Sequence, residues 1–364
     1  MDLLLDSTVF WDDPNLKSEA WALLRIYIRR SGARVLIPDI VRDEVEAKFA
    51  ERLKKDQDRI ALAFGSIARL TETAFKLPEI DSAVQSQRYS LRLDSRLSTL
   101  NARALPYPPA THEAIVERQL KGLRPFHQKG TGYRDALIWY SLLEELKKDS
   151  RDCVVITNNT VDFSLDKDDF ETPHRDFQTD LDSSGIKAKV EIRRSIDEFI
   201  GDFVKPTLKK LEDFKLQLQS GKPVDLKRYL EDRFSQVFEG LRHVPLRIAV
   251  PDARRLEEPI GVSSMNEEPS RIDIDDALEL NDHEIYIEFR AVYNADIFGF
   301  LFRTDAFGLR EDSDIYVTDI DWNNHYAEVG VNLELEVRFG AIYDRDGTEF
   351  VTLEVKEAKT NFGG

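Results

Sequence analysis

The hydrophobic rhythm of the chain changes partway along. Over roughly the first 200 residues, short apolar runs alternate with longer stretches in which apolar residues recur every three or four positions. Leu3-Leu4-Leu5 and Val35-Leu36-Ile37 are too short for helices and uniformly apolar, which predicts strands buried on both faces. Trp21, Leu24 and Ile28 predict an amphipathic helix over about 16–31. Val45, Phe49, Leu53, Ile60, Phe64 and Ile67 carry a long charged helix over about 39–75, broken at Leu77-Pro78. A second helix is expected over about 81–104, ending before the Pro106-Tyr107-Pro108-Pro109 loop, and a short one over 111–121. Gly130–Gly132 reads as a turn into a strongly amphipathic helix over about 133–148. Residues 153–157 and 188–192 complete a set of four strands. Strands separated by helices predict an α/β domain with a parallel, helix-covered sheet.

Residues 201–243 read as a helical connector split at Ser220-Gly221-Lys222-Pro223. After Pro245 the period becomes two. Ile285-Tyr286-Ile287-Glu288-Phe289-Arg290 alternates, as does the run from Val331 to Phe339, and Asp344-Arg345-Asp346-Gly347 has the composition of a hairpin turn. The expected organisation is an α/β domain over 1–200 with a helical insertion at about 45–125, a connector over 201–243, and an antiparallel β domain, sandwich or barrel, over 244–364.

Composition narrows the setting. The 364 residues are 41% hydrophobic, enough for ordinary cores. The single cysteine, Cys153, excludes a disulfide framework. No secretory leader is evident and no apolar run approaches the roughly 18 residues of a spanning helix, so the expectation is a soluble, cytoplasmic protein without membrane contact. The net charge of −17 argues against a nucleic-acid partner until it is mapped. Residues 1–205 hold 32 Lys and Arg against 35 Asp and Glu, net −3, and the remainder carries −14. Residues 82–134 hold nine basic and three acidic residues, a local +6. Within it, Arg88, Arg92 and Arg96 fall at i, i+4 and i+8, one face of a helix, and Lys121, Arg124, Lys129 and Arg134 follow. These are candidate phosphate contacts; the ordinary alternative is a solvated helix face.

Four acids stand where strands hand over to loops or helices: Asp6, Glu44, Asp135 and Asp162. Ligands of open α/β sheets gather at the carboxyl ends of strands, so these side chains are expected to converge. Converged carboxylates repel by about 4 kcal/mol per pair at 4 Å and an effective dielectric near 20. A divalent cation relieves that repulsion, and an all-oxygen donor set suits Mg²⁺ or Mn²⁺. Each acid alone also fits a cap, a first-turn helix position or a loop. His112 and His127 read as surface residues. Asp273, Asp275 and Asp276 lack the Gly and distal Glu of a Ca²⁺ loop and read as strand charges.

Leu5-Asp6-Ser7-Thr8, Ile37-Pro38-x-x-Val41-x-x-Glu44, Asp135-Ala136-Leu137-Ile138 and Thr157-Asn158-Asn159-x-x-Asp162-Phe163 occur in an order that resembles the PIN-domain nucleases, closest to larger bacterial members with a long helical insertion. The resemblance covers about residues 1–200 and leaves the C-terminal region unassigned. It implies a Rossmann-like fold and Mg²⁺- or Mn²⁺-dependent phosphodiester hydrolysis giving 5′-phosphate and 3′-hydroxyl ends. It further implies Asp6, Asp135 and Asp162 as metal ligands, with Glu44 completing the catalytic set. Ser7, Thr157 and Asn159 would orient carboxylates or water. Many PIN domains carry an acid where Asn159 stands, so the fourth ligand position departs from the pattern. The functions implied are an endoribonuclease acting as a bacterial toxin or defence effector, a nuclease of DNA structures, or an inactive scaffold that binds RNA. A regulatory protein at the acidic C-terminal domain and a homodimer are the expected partners besides RNA or DNA.

Overall fold

The computed structural model describes residues 1–11, 13–71, 80–110, 112–126, 131–165, 169–244, 246–247, 256–309 and 315–360. It divides into two compact units, Met1–Pro206 and Thr207–Gly364. The first carries five strands: β1 (Asp2–Leu5), β2 (Val35–Pro38), β3 (Ala102–Leu105), β4 (Cys153–Ile156) and β5 (Val190–Arg193). All neighbours pair in parallel, in the order β3-β2-β1-β4-β5. Every residue of β1, β2 and β4 is buried, which is why these strands show no polar alternation. The crossovers are α1 (Glu19–Ser31), α2 (Asp39–Thr71), α3 (Ser82–Ser98), α4 (His112–Leu120), α5 (Tyr133–Lys148), α6 (Thr160–Phe163) and α7 (Arg175–Ser183), and α8 (Ile196–Phe199) follows β5.

One strand departs from expectation. The helix predicted to reach 104 stops at Ser98, and Ala102–Leu105 forms β3 at the sheet edge. Two of its four residues are exposed, so no buried apolar run marks it. Arg103 points out to Glu145, and the strand is held by its ladder to β2. The Leu77-Pro78 break lies outside the described residues.

In the second unit, β6 (Lys209–Lys210) precedes α9 (Glu212–Gln219), α10 (Leu226–Asp232) and α11 (Phe234–Leu241). Then come β7 (Leu246–Arg247), β8 (Glu257–Met265), β9 (Arg271–Glu279), β10 (Glu284–Phe302), α12 (Arg303–Phe307), β11 (Ile315–Asp319), β12 (Tyr326–Asp344) and β13 (Glu349–Thr360). Strands β10 and β12 pair antiparallel over 19 residues each and form the spine of an eight-stranded sheet. Among the described residues this is one open sheet, neither the two-sheet sandwich nor the closed barrel expected. Odd-numbered residues of the spine face the core: Ile285, Ile287, Phe289, Ala291 and Tyr293 on β10, and Leu335, Val337, Phe339, Ala341 and Tyr343 on β12. Phe289 and Phe339 stack across the ladder at 5.0 Å. Leu218, Leu226, Leu230, Val237 and Leu241 join this core. The helices expected as a connector over 201–243 therefore belong to the β unit, because their apolar stripes are buried on its sheet.

The other face of the sheet is charged. Arg290 forks onto Asp275 at 2.8–3.0 Å, and Lys359 reaches Glu336 at 2.9 Å. Asp273 pairs with Arg271 and Asp276 with Lys210, so these acids serve as ion-pair partners on the strand. No helix among the described residues is long and apolar enough to cross a membrane.

Candidate active site

The strand order reverses between β1 and β4: the chain builds outward on one side through β2 and β3, then returns to β4 on the other. Such a switch point opens a crevice at the carboxyl ends of the strands. Asp6 stands there, directly after β1, and Thr157 stands directly after β4.

Asp6 is 3% exposed and accepts three hydrogen bonds. Its Oδ1 accepts from the backbone N–H of Ser7 at 2.6 Å. Its Oδ2 accepts from the hydroxyls of Thr8 at 2.9 Å and Thr157 at 2.7 Å, the second bond crossing the switch point. Thr8 and Thr157 in turn accept from the backbone N–H groups of Asn158 and Asn159, each at 3.0 Å. The two loops are thus tied into one hydrogen-bonded collar around a buried carboxylate. Ser7 contributes its backbone N–H to this collar. Thr157 places its hydroxyl on Asp6. Thr8 was not singled out by the sequence; a hydroxyl two residues beyond a strand-ending Asp is the signal that would have found it.

The Asn159 side chain donates to Asp162 Oδ2 at 2.5 Å, and the Arg124 guanidinium lies 3.9 Å from the other oxygen. Glu44, in the second turn of α2, accepts from Arg134. Asp135 lies in the first turn of α5, where the helix dipole favours a negative charge. Its carboxyl is nevertheless pushed up to about 7, first by burial and then by the charges of Asp6, Asp162 and Glu44, with Arg134 opposing. The four acids of the sequence reading therefore share one electrostatic environment.

The start of α5 is fixed by Gly132, with φ +114. A Cβ there would lie 2.5 Å from the Pro125 carbonyl oxygen, so only glycine permits this close approach. Further along, Trp139 donates to Asp180, which also pairs with buried Arg118 at 2.7 Å, tying α4, α5 and α7 together.

The donor set fits a hard divalent cation in its chemistry: all oxygen, crowded, and raised in energy by mutual repulsion. The side chains are not closed around one point. Among the described residues no group of three or more His, Cys, Asp or Glu is arranged to hold an ion. Asp6 is held by its collar with acceptor capacity left on Oδ1, Glu44 is held by Arg134 and Asp162 by Asn159.

The basic candidates are dispersed over different elements. Arg124 and Arg134 stand beside the acids. Lys121 is paired with Glu117 at 2.6 Å on its own helix. Arg88 and Arg92 are exposed and Arg96 half-buried on α3. His112 is exposed near Tyr133, whereas Lys129 and His127 lie outside the described residues.

No curated protein and no solved structure matches this chain. A family model does: residues 3–163 match the PIN domain, a span that begins in β1, ends in α6 and contains all four acids. PIN domains are generally nucleases, and nucleic acid is the substrate class that goes with the fold. No family is assigned to the C-terminal unit. The matched segment 3–163 takes in four strands of the five-stranded parallel sheet.

Proposed function

We propose that the N-terminal unit is a nuclease that hydrolyses RNA with the help of Mg²⁺ or Mn²⁺ bound among Asp6, Asp135 and Asp162, with Glu44 completing the catalytic set. The observation that supports this most is the state of Asp135. A surface carboxylate has no reason to sit at about 7, and three further acids are among its causes. When bound, the cation would polarise the scissile phosphate and lower the pKa of the attacking water.

The chain's own residues divide the remaining work. Asp6 is the fixed ligand, immobilised by the Ser7 N–H and by the Thr8 and Thr157 hydroxyls. Asp135, pressed by burial and by the other acids, is the one whose ionised form gains most from a cation. Asn159 orients Asp162 and supplies a neutral group where many PIN domains have an acid. Glu44 takes the proton of the attacking water once Arg134 leaves it, and the released guanidinium is then available to a phosphate oxygen. Arg134 is in this reading a plug in the resting site and a substrate contact in the working one.

The test is cleavage of labelled RNA and single-stranded DNA in parallel, by wild type and Asp135→Asn, with Mg²⁺, with Mn²⁺ and with EDTA. Cation-dependent cleavage of RNA, lost in the variant, is the expected result. Preference for DNA would move the substrate assignment and keep the chemistry. A second reading is favoured by the engaged state of the acids: a site that has ceased to bind metal and serves as an RNA-binding scaffold. Absence of cleavage together with no cation-induced rise in melting temperature would select it.

A further inference from the structure

Helix α3 carries three arginines and a single acid, Asp94, and that acid is drawn away to Arg42 on α2 at 2.8 Å. The helix is anchored through Tyr89, Leu93 and Leu97, all buried, and Tyr89 stacks on Phe49 of α2 at 4.0 Å. Ser90 adds a hydrogen bond to Glu46 at 2.8 Å. These contacts fix which way the remaining residues face. Arg88, Arg92 and Arg96 form a row beside the buried stripe, and Val84 and Leu91, 40% and 65% exposed, form an apolar row on its outer side.

None of the three arginines has an ion-pairing carboxylate among the described residues, in a chain with 68 acids and an excess of 17 negative charges. Like charges at i and i+4 destabilise a helix, so the row works against the fold that carries it. Its spacing is regular, about 6 Å per rung from the helical rise. Evenly spaced cations match an evenly charged chain better than the irregular carboxylates of a protein surface. The adjoining apolar row has no use in gripping a duplex, whose bases are turned inward. It is useful to a single strand, whose bases are exposed beside the phosphates.

We infer that α3 is a binding site for single-stranded nucleic acid, with consecutive phosphates on Arg88, Arg92 and Arg96 and bases against Val84 and Leu91. The inference rests on the nuclease reading for the identity of the polyanion, and on α3 alone for the site. It separates holding the strand from cutting it, since the row and the four acids lie on different elements. It also selects unpaired segments over duplex.

The experiment is anisotropy of a fluorescein-labelled oligouridylate of about 12 nucleotides on the full chain in EDTA, which stops cleavage and leaves the arginines untouched, across a salt series. The triple variant Arg88→Gln/Arg92→Gln/Arg96→Gln should bind roughly tenfold or more weakly at low salt. The slope of log affinity against log salt should fall by about 2, the single-strand value for three phosphate contacts. A hairpin duplex should compete poorly. The site is refuted if the triple variant keeps the wild-type affinity and slope, if duplex competes as well as single strand, or if poly-glutamate does. The last outcome would make α3 a dock for an acidic protein. Removing like charges should leave the melting temperature level or higher. If the triple variant melts low instead, Arg92→Gln alone decides, with a slope change of about 0.7. Loss of oligonucleotide binding without any cation-dependent cleavage in wild type would sustain the site and fail the nuclease reading; cleavage without a role for the arginines would do the reverse.

Discussion

Asp135 carries an electrostatic cost. Lifting a carboxyl from 3.8 to about 7 disfavours its ionised form by on the order of 4 kcal/mol. Asp135→Asn keeps the shape and removes the charge, so the cation-free variant should be more stable than wild type at pH 8, by roughly 1–3 kcal/mol after local relaxation. Thermal unfolding in EDTA checks this. Adding Mg²⁺ should raise the wild-type melting temperature and leave the variant unmoved; a variant that is less stable in EDTA would contradict the crowding of the four acids. His174 provides a second test at this scale. Its Nδ1 accepts from the Asp176 N–H at 3.2 Å and caps α7. Burial is the main cause that holds its pKa below 6.5; Arg124, Arg175 and Arg118 act the same way and Asp176 opposes them. Because the folded value lies below the unfolded one, the neutral cap is fully present above 6.5, and its stability is lost as pH falls through the folded value. Wild type should therefore lose about 1 kcal/mol on acidification that His174→Asn, with an uncharged cap, retains. Chemical denaturation at pH 7.5 and pH 5 compares the two. At this same scale, the position of Asp6 was readable because it directly ends the apolar run of β1. The bond from Thr8 to Asp6 is local, whereas the bond Thr8 accepts from the Asn158 N–H is set by the register of β1 against β4, which no local pattern contains.

Elements were legible where a core dictates them. Leu3–Leu5, Val35–Ile37 and the run after Cys153 are apolar because both faces of a central parallel strand are covered. Strand β3 is an edge with two exposed residues, so its sequence continues the polar character of α3 and the pattern reads as one helix. The helices α9–α11 show the same limit from the other side. Their stripes predict helices correctly, but which sheet buries them is decided by tertiary packing alone. Gly132 is the position where an element's placement hangs on one residue. Gly132→Ala must push a Cβ against the Pro125 carbonyl and hold φ near +114 with a side chain, a combination expected to cost at least 2–3 kcal/mol, roughly. The first turn of α5 would shift, and Asp135 with it. Cleavage should fall far more than the loss of folded protein accounts for, measured as activity per folded molecule below the melting transition. Proportional losses would mean that the turn only supports the fold.

At the scale of the molecule, charge is divided almost as sharply as structure. The first unit is near neutral at −3, while the second holds −14 of the −17, and its charged sheet face pairs its arginines with acids of its own. Screening confines the field of an acidic unit to about 8 Å at 0.15 M salt and lets it reach further as salt is lowered. The second unit should therefore repel nucleic acid and slow its capture. The chain ended at Pro206 retains the whole parallel sheet and its core, so it should fold. It should bind the labelled oligonucleotide faster than the full chain at low salt, by about tenfold, with the difference shrinking toward none at about 0.5 M salt. Stopped-flow association across that range is the measurement. Equal rates at every salt would show that the acidic unit does not act through its field, and would leave a specific protein partner as its remaining role.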